Sequence, residues 1–281
     1  MSRLSFIFKI SRPRFWIYVF GPFLIGAVAA IDERSDLLSP ELVVFAIYFL
    51  LPANLLIYGI NDIFDYETDR LNPKKEDYEA LVTPSERKGL IITILILNFP
   101  FVLGAFYLGT RPAAALFGFL FFSIFYSAPP FRAKAKPVID SVFNILYVFP
   151  GILAYVLITD DIPAYSTIAA AGFWTMAMHA YSAIPDIDSD NEAGVSTVAT
   201  LLGSNGTLLF CLFCYAVSAV LSFSVLGPAA IGFALIYFAM IMVSYQLSRS
   251  NKLFAAYRYF PIINTTVGFA LFWIIAYPKL G

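Results

Sequence analysis

Stretches of about 20 mostly apolar residues recur along the sequence, near 15–31, 41–60, 90–108, 112–127, 139–158, 164–184, 206–226, 229–247 and 259–277. A stretch of that length is what a helix needs to cross the hydrocarbon core of a bilayer. Only 13% of the 281 residues are charged, against roughly 25% in soluble chains. The expected fold class is therefore all-α: a polytopic membrane protein with nine transmembrane helices in one bundle around a central cavity, closed by cytoplasmic cap loops. The connections are too short for a separate soluble domain, so residues 1–281 are read as a single domain. Basic residues before the first run and "AVAA" within it imitate a secretion signal, but eight further runs argue for a retained span.

Lys and Arg orient the bundle. With nine spans, the N-terminus and the even-numbered connections share one side. That side holds all but Arg34, Arg111 and Lys279 of the 18 basic residues. Positive charge stays inside, so this side is expected to be cytoplasmic in the cell membrane. The net charge of −1 hides the asymmetry. Cys211 and Cys214 lie inside a run, and one His in the whole chain leaves a zinc site without ligands; they read as buried apolar filler. No nucleic-acid partner is expected.

Charge is concentrated where two runs end. "YGINDIFDYETDRLNPKK" passes from apolar sequence to four carboxylates without a turn between them. On a helix Asn61, Asp65 and Asp69 form one stripe, with Asp62 beside it. Adjacent carboxylates repel unless a cation lies among them. Magnesium takes oxygen ligands, often one or two carboxylates completed by substrate phosphates and water, and a helix C-terminus favours positive charge. The sixth run ends in "MHAYSAIPDIDSDNEAG", where Asp186 and Asp190 are four residues apart and Pro185 breaks the helix just before them. Both runs travel outside to inside, so both clusters are expected on one membrane face, suited to two magnesium ions on one diphosphate. Each cluster alone also reads as a solvated acidic loop. The connections 61–89 and 185–205 exceed the usual 2–8 residues and suit lids. Arg132, Lys134 and Lys136 in "YSAPPFRAKAKP" read mostly as orientation signals, with phosphate contact for one or two.

These residues resemble the UbiA superfamily of intramembrane prenyltransferases. Its NDxxDxxxD motif is matched by Asn61, Asp62, Asp65 and Asp69, and its DxxxD motif by Asp186 and Asp190, with Gly194 following. The resemblance covers nearly the whole chain. It implies that these six residues hold magnesium and a diphosphate, the five Asp as metal ligands, with Lys134 and Arg132 binding the phosphate. "SRPRFWIYVFGP", "PANLLIYGINDIFDYETDRLNPKK" and "HAYSAIPDIDSDNEAG" are similar to the lycopene elongase type. That type implies transfer of a five-carbon unit from dimethylallyl diphosphate to an apolar polyene, lycopene, through an allylic cation, sometimes with hydration. Quinone precursors, tetrapyrroles and glyceryl phosphates remain as other acceptors, and oligomeric state is left open.

No side-chain nucleophile is needed for such a reaction, and no Ser-His-Asp or Cys-His set is convincing. Aromatic faces stabilise a cation, and Tyr58, Phe125, Tyr126, Tyr147 and Tyr181 are candidates, each also readable as packing. His179 reads as a proton acceptor, as a residue orienting a carboxylate, or as a packed, hydrogen-bonded core residue. Asn54 lines the cavity or bonds a neighbouring helix. A cation transporter would also carry acidic residues near its spans, but with coupling sites near the midplane. A CDP-alcohol phosphotransferase would place its acidic stretches much closer together.

Overall fold

The computed structural model describes residues 3–66, 80–249 and 253–280. The helices in chain order are α1 (Arg3–Ile10), α2 (Ile17–Ala30), α3 (Pro40–Phe64), α4 (Arg87–Leu108), α5 (Thr110–Ser127), α6 (Ile139–Val142), α7 (Phe149–Thr159), α8 (Tyr165–Ala183), α9 (Ile187–Glu192), α10 (Val198–Leu226), α11 (Pro228–Ser248), α12 (Leu253–Tyr257) and α13 (Phe260–Leu280). Among the described residues there is no strand. Six helical segments are long and apolar enough to cross a membrane: Pro40–Phe64, Arg87–Leu108, Ile139–Thr159, Val198–Leu226, Pro228–Ser248 and Ala255–Leu280. A seventh arises if α1 and α2, bent by 61° at their junction, form one broken span. The expected runs at 112–127 and 164–184 are helical too, as α5 and α8, but Arg111 in one and Ser166, Thr167, Thr175, His179 and Ser182 in the other dilute their apolar character.

The basic stretch before the first expected span is helical, as α1. It ends because Arg12 takes a left-handed conformation (φ 50°) and Pro13 follows, starting a 3-10 turn over Pro13–Phe15. Trp16 Nε1 donates to the Ser11 carbonyl at 3.0 Å and holds the bend.

The helices form two compact units: Met1–Arg132 with Phe149–Ile162 and Ile275–Gly281, and Ala133–Val148 with Pro163–Ile274. In the first unit α2 and α7 cross on glycines. A Cβ at Gly26 would lie 2.1 Å from the Gly151 carbonyl oxygen, so only glycine lets the backbones meet. An aromatic core of Phe23, Phe45, Tyr48, Phe49, Phe101 and Phe119 packs behind them with centroids 4.8–6.2 Å apart. Pro52 within α3 has no N–H for the Tyr48 carbonyl. Asn54 Nδ2 donates to the adjoining carbonyls of Phe49 and Leu50 at 2.9 and 2.6 Å. Asn54 thus bonds carbonyls of its own helix next to the one Pro52 leaves open.

In the second unit α8 packs along α10, which breaks at Gly203 (φ 66°, ψ 173°). Tyr215 and Tyr237 stack at 4.1 Å, and Tyr237 donates to Asn264 Oδ1 at 3.0 Å. Cys211 and Cys214 are buried and free, and the Cys211 thiol reaches the Ala177 carbonyl at 3.4 Å, as filler cysteines do.

Candidate functional site

The first acidic cluster closes α3. The helix is apolar between Asn54 and Asn61 apart from Tyr58, and its last backbone bond runs from the Asp65 N–H to the Asn61 carbonyl at 3.0 Å. Asp65 then leaves helical geometry (φ −108°, ψ 9°) as the C-cap. Asn61 Oδ1 accepts from Ser127 Oγ, at the end of α5, at 2.8 Å. Asp62 is only 1% exposed and Asp65 6%. These are buried carboxylates, not a solvated loop, and the burial of one is explained by an ion pair. Asp62 Oδ1 lies 2.7 Å from Nη2 of Arg12, whose side chain is 14% exposed. The same guanidinium sits 4.8 Å over the ring of Tyr58, one turn before Asp62. The left-handed backbone at Arg12 thus aims its side chain at the motif. Arg12 was read from sequence only as an orientation charge. Asp69, the last motif position, lies outside the described residues.

The second cluster sits on a broken continuation of α8. Pro185 carries no N–H, and the chain tightens into a 3-10 turn, Ile184–Asp186, before α9. The expected break before Asp186 is there. Gly194 adopts φ 66°, which a side chain would strain, and Val195 N–H closes back onto the Asp190 carbonyl at 2.8 Å. Asp186 and Asp188 are exposed and Asp190 is half-buried. Asp190 has its carboxyl pushed up to about 6, first by burial, then by the nearby charges of Asp186 and Asp140, while His179 and Lys134 pull it back. Lys134, in the 3-10 turn Ala133–Ala135, is therefore electrically part of this cluster. Arg132 is exposed with φ 41°, and among the described residues no ion pair joins it to a carboxylate.

Asp140 is the residue that sequence reading missed. It lies on α6, fully buried at 0% exposure. Its Oδ2 accepts from the Val198 N–H at 2.9 Å and lies 3.5 Å from Nε2 of His179. His179 is thus paired with a carboxylate inside the unit. The available signal was an ionisable residue at the start of a predicted span, which is a functional candidate by default. Of the aromatic candidates, Tyr181 is a core residue, its hydroxyl bonded to Ser244 Oγ at 2.7 Å. Phe125 packs against Phe121 and Phe131. Tyr58 meets a cation, the Arg12 guanidinium.

Among the described residues no group of three or more His, Cys, Asp or Glu converges as a metal centre. The donor chemistry nevertheless fits magnesium. Each cluster offers oxygen atoms alone, with no thiolate or imidazole in the motif, and magnesium needs only one or two carboxylates when phosphates and water complete its shell. Asp190 is raised first by burial and then by the charges of Asp186 and Asp140, and a divalent cation relieves that repulsion.

A family model described as the UbiA prenyltransferase family matches residues 19–262. The lycopene elongase/hydratase of Haloferax volcanii is 38% identical over 95% of this chain and 87% of that protein. The lycopene elongase/hydratase of Corynebacterium glutamicum is 30% identical over 92% of this chain and 94% of its own. Among solved structures, a UbiA homolog from Archaeoglobus fulgidus bound to GPP and Mg2+ aligns with a TM-score of 0.68 at 20% identity, covering 96% of this chain and 99% of that one. The apo UbiA homolog from Aeropyrum pernix K1 aligns with a TM-score of 0.71 at 19% identity, covering 96% and 99%.

Proposed function

This chain belongs to the UbiA prenyltransferase family, and we propose that it transfers a dimethylallyl group from dimethylallyl diphosphate to an end of lycopene. The chemistry is carried by one observation: two carboxylates, Asp62 and Asp65, are buried at the end of an apolar helix beside a guanidinium. The acceptor rests on the relatives from Haloferax volcanii and Corynebacterium glutamicum, whose names state lycopene elongation. The donor and the metal rest on the Archaeoglobus fulgidus homolog, described with dimethylallyl diphosphate and Mg2+. Prenyltransferase membership replaces the readings as a cation transporter or a CDP-alcohol phosphotransferase.

In this proposal residues 1–281 work as one domain with nine spans, α5 and α8 included, and the clusters face the cytoplasm. Asp62, Asp65 and Asp69 at the first cluster, beside Asn61, and Asp186 and Asp190 at the second would hold magnesium. Asp62 contributes charge and keeps Arg12 in place. Bound magnesium supplies neutralisation of the charge that builds on a leaving diphosphate. Arg12, Lys134 and Arg132 would add positive charge toward the diphosphate, and that of the largely buried Arg12 counts most where water is scarce. The C–O bond of the donor breaks and leaves an allylic cation. The terminal double bond of the polyene gives its electron pair to that cation and forms the new C–C bond. The resulting tertiary cation loses a proton or takes up water. The Tyr58 ring, 4.8 Å from the Arg12 guanidinium, would help hold that cation in place.

The test is a product assay. Purified protein receives lycopene and dimethylallyl diphosphate with magnesium or with chelator, followed by mass spectrometry. A magnesium-dependent gain of one or two five-carbon units supports the whole reading. Turnover of a different acceptor removes lycopene and leaves the prenyl transfer.

A further inference from the structure

The second acidic motif lies in a connection whose two ends are tied to a single side chain. His179, four residues before the end of α8, precedes the motif. Val198, the first residue of α10, follows it. Both reach Asp140 Oδ2, the imidazole Nε2 at 3.5 Å and the Val198 N–H at 2.9 Å. We propose that Asp140 is a positioning residue for Asp186 and Asp190: it straps the base of the acidic loop shut and so fixes where the motif carboxylates stand. This rests on the prenyltransferase reading of that motif.

Four features support the strap. Asp140 is completely buried, and burying a carboxylate is costly enough to require a reason. Its second oxygen, Oδ1, has no hydrogen-bond partner among the described residues, so the group is not there as a fully satisfied structural anchor. The turn that delivers it is strained: Val138, a β-branched residue, takes φ 69° two residues earlier. Asn144 Nδ2 donates to the Asp140 carbonyl at 2.7 Å and stiffens the short helix that carries it. Thr197 caps the first turn of α10 through a reciprocal bond with Thr200, which satisfies other donors and leaves the Val198 N–H to Asp140. Within the unit, Asp140 is close enough to act on the Asp190 carboxyl, as are His179, Lys134 and Asp186, so a displaced strap is felt at the motif. Partners outside a ligand set that orient it are commonly worth 10–100-fold in metal affinity, by order of magnitude.

The experiment compares full-length wild type with Asp140→Ala, Asp140→Asn and His179→Gln in detergent. It reads hydrogen exchange along residues 184–200, the magnesium concentration at half-maximal prenyl transfer, and KM for dimethylallyl diphosphate. Asp140→Ala is expected to raise exchange over 184–200 by about tenfold while other segments keep their protection. Half-saturating magnesium and KM should rise by about 10–100-fold, with a smaller change in kcat. Asp140→Asn keeps an oxygen for the Val198 N–H and should fold even where the alanine variant does not. It and His179→Gln should each loosen the segment part-way. Wild-type exchange over 184–200 and unchanged magnesium dependence in the Asn and Gln variants would overturn the proposal. Wild type that fails to transfer prenyl groups would remove the functional reading, while the exchange data would still decide the strap.

Discussion

Replacing Arg12 by Ala leaves Asp62 in place, 1% exposed, without its guanidinium. Removing one partner of a buried ion pair costs about 3–5 kcal/mol, because the remaining charge stays away from water. At about 1.4 kcal/mol per factor of ten, that is a loss of roughly two to three and a half orders of magnitude in the folding equilibrium. The geometry favours the upper part of that range: the contact is 2.7 Å, and Arg12 also covers the Tyr58 ring, adding about 0.5–2 kcal/mol of cation–π attraction. Arg12→Ala is therefore expected to destabilise more than Asp62→Asn, which leaves a neutral amide in the same pocket. The double variant should be no worse than Arg12→Ala alone. The cycle is measured by denaturant or thermal unfolding in a fixed detergent, with coupling as the difference between summed single effects and the double effect. A coupling near zero, with Arg12→Ala as stable as wild type, would mean that the pair is not a buried clamp and that the placement of Asp62 has another cause.

Asp65→Ala and Asp186→Ala should each lower kcat/KM for prenyl transfer by at least about 100-fold, or some 3 kcal/mol of transition-state stabilisation, while unfolding curves stay near wild type. Asp190 titrates at about 6 in the unliganded protein, raised by burial and by Asp186 and Asp140. Proton and metal compete for its carboxylate, so half-saturating magnesium should rise by about tenfold per pH unit below 6 and level off above 7; a flat profile from 5 to 8 refutes a ligand role for Asp190. Gly26→Ala puts a methyl 2.1 Å from the Gly151 carbonyl oxygen. It should cost at least about 1–3 kcal/mol through displaced backbone, seen as a lower unfolding midpoint, whereas Gly104→Ala, with open space around it, should not.

Much of the fold was legible because lipid-crossing helices are coded in long apolar runs, and the motifs because carboxylates are conspicuous against such runs. The predicted spans near 41–60 and 206–226 lie inside α3 and α10 for that reason. What failed to show was anything that depends on a partner distant in sequence. Arg12 and Asp62 are 50 residues apart, and Asp140 and Val198 are 58 apart. Both ties join one end of a predicted span to a residue that looked like an orientation charge or a loop. The bend between α1 and α2 was hidden because hydropathy does not report a left-handed arginine before a proline. The partners of Asn54 are backbone carbonyls of its own helix, Phe49 and Leu50, which hydropathy does not report.

The two devices also address one physical difficulty. Carboxylates gathered to hold a cation repel one another, and a flexible chain would let them spread. A rigid tie from outside the motif removes that freedom. In the first unit the tie is a cation, and its charge offsets part of the repulsion while its strained backbone sets its aim. In the second unit the tie is itself a carboxylate, which adds to the repulsion felt at Asp190. It therefore acts chiefly by geometry, through the Val198 N–H at 2.9 Å, with the His179 ring at ion-pair distance, 3.5 Å. The units should then respond differently to salt. A tie held by charge weakens as ions screen it, though buried pairs are screened least, and a tie held by a backbone hydrogen bond does not. Substituting Arg12 by Lys keeps the charge but loses the planar fork and its fit to the Tyr58 ring. Asp140→Asn keeps an acceptor and loses the charge. Arg12→Lys is then expected to retain most of the stability of its unit, and Asp140→Asn to loosen residues 184–200 only part-way, less than Asp140→Ala does. The opposite pattern would assign charge to the second tie and shape to the first.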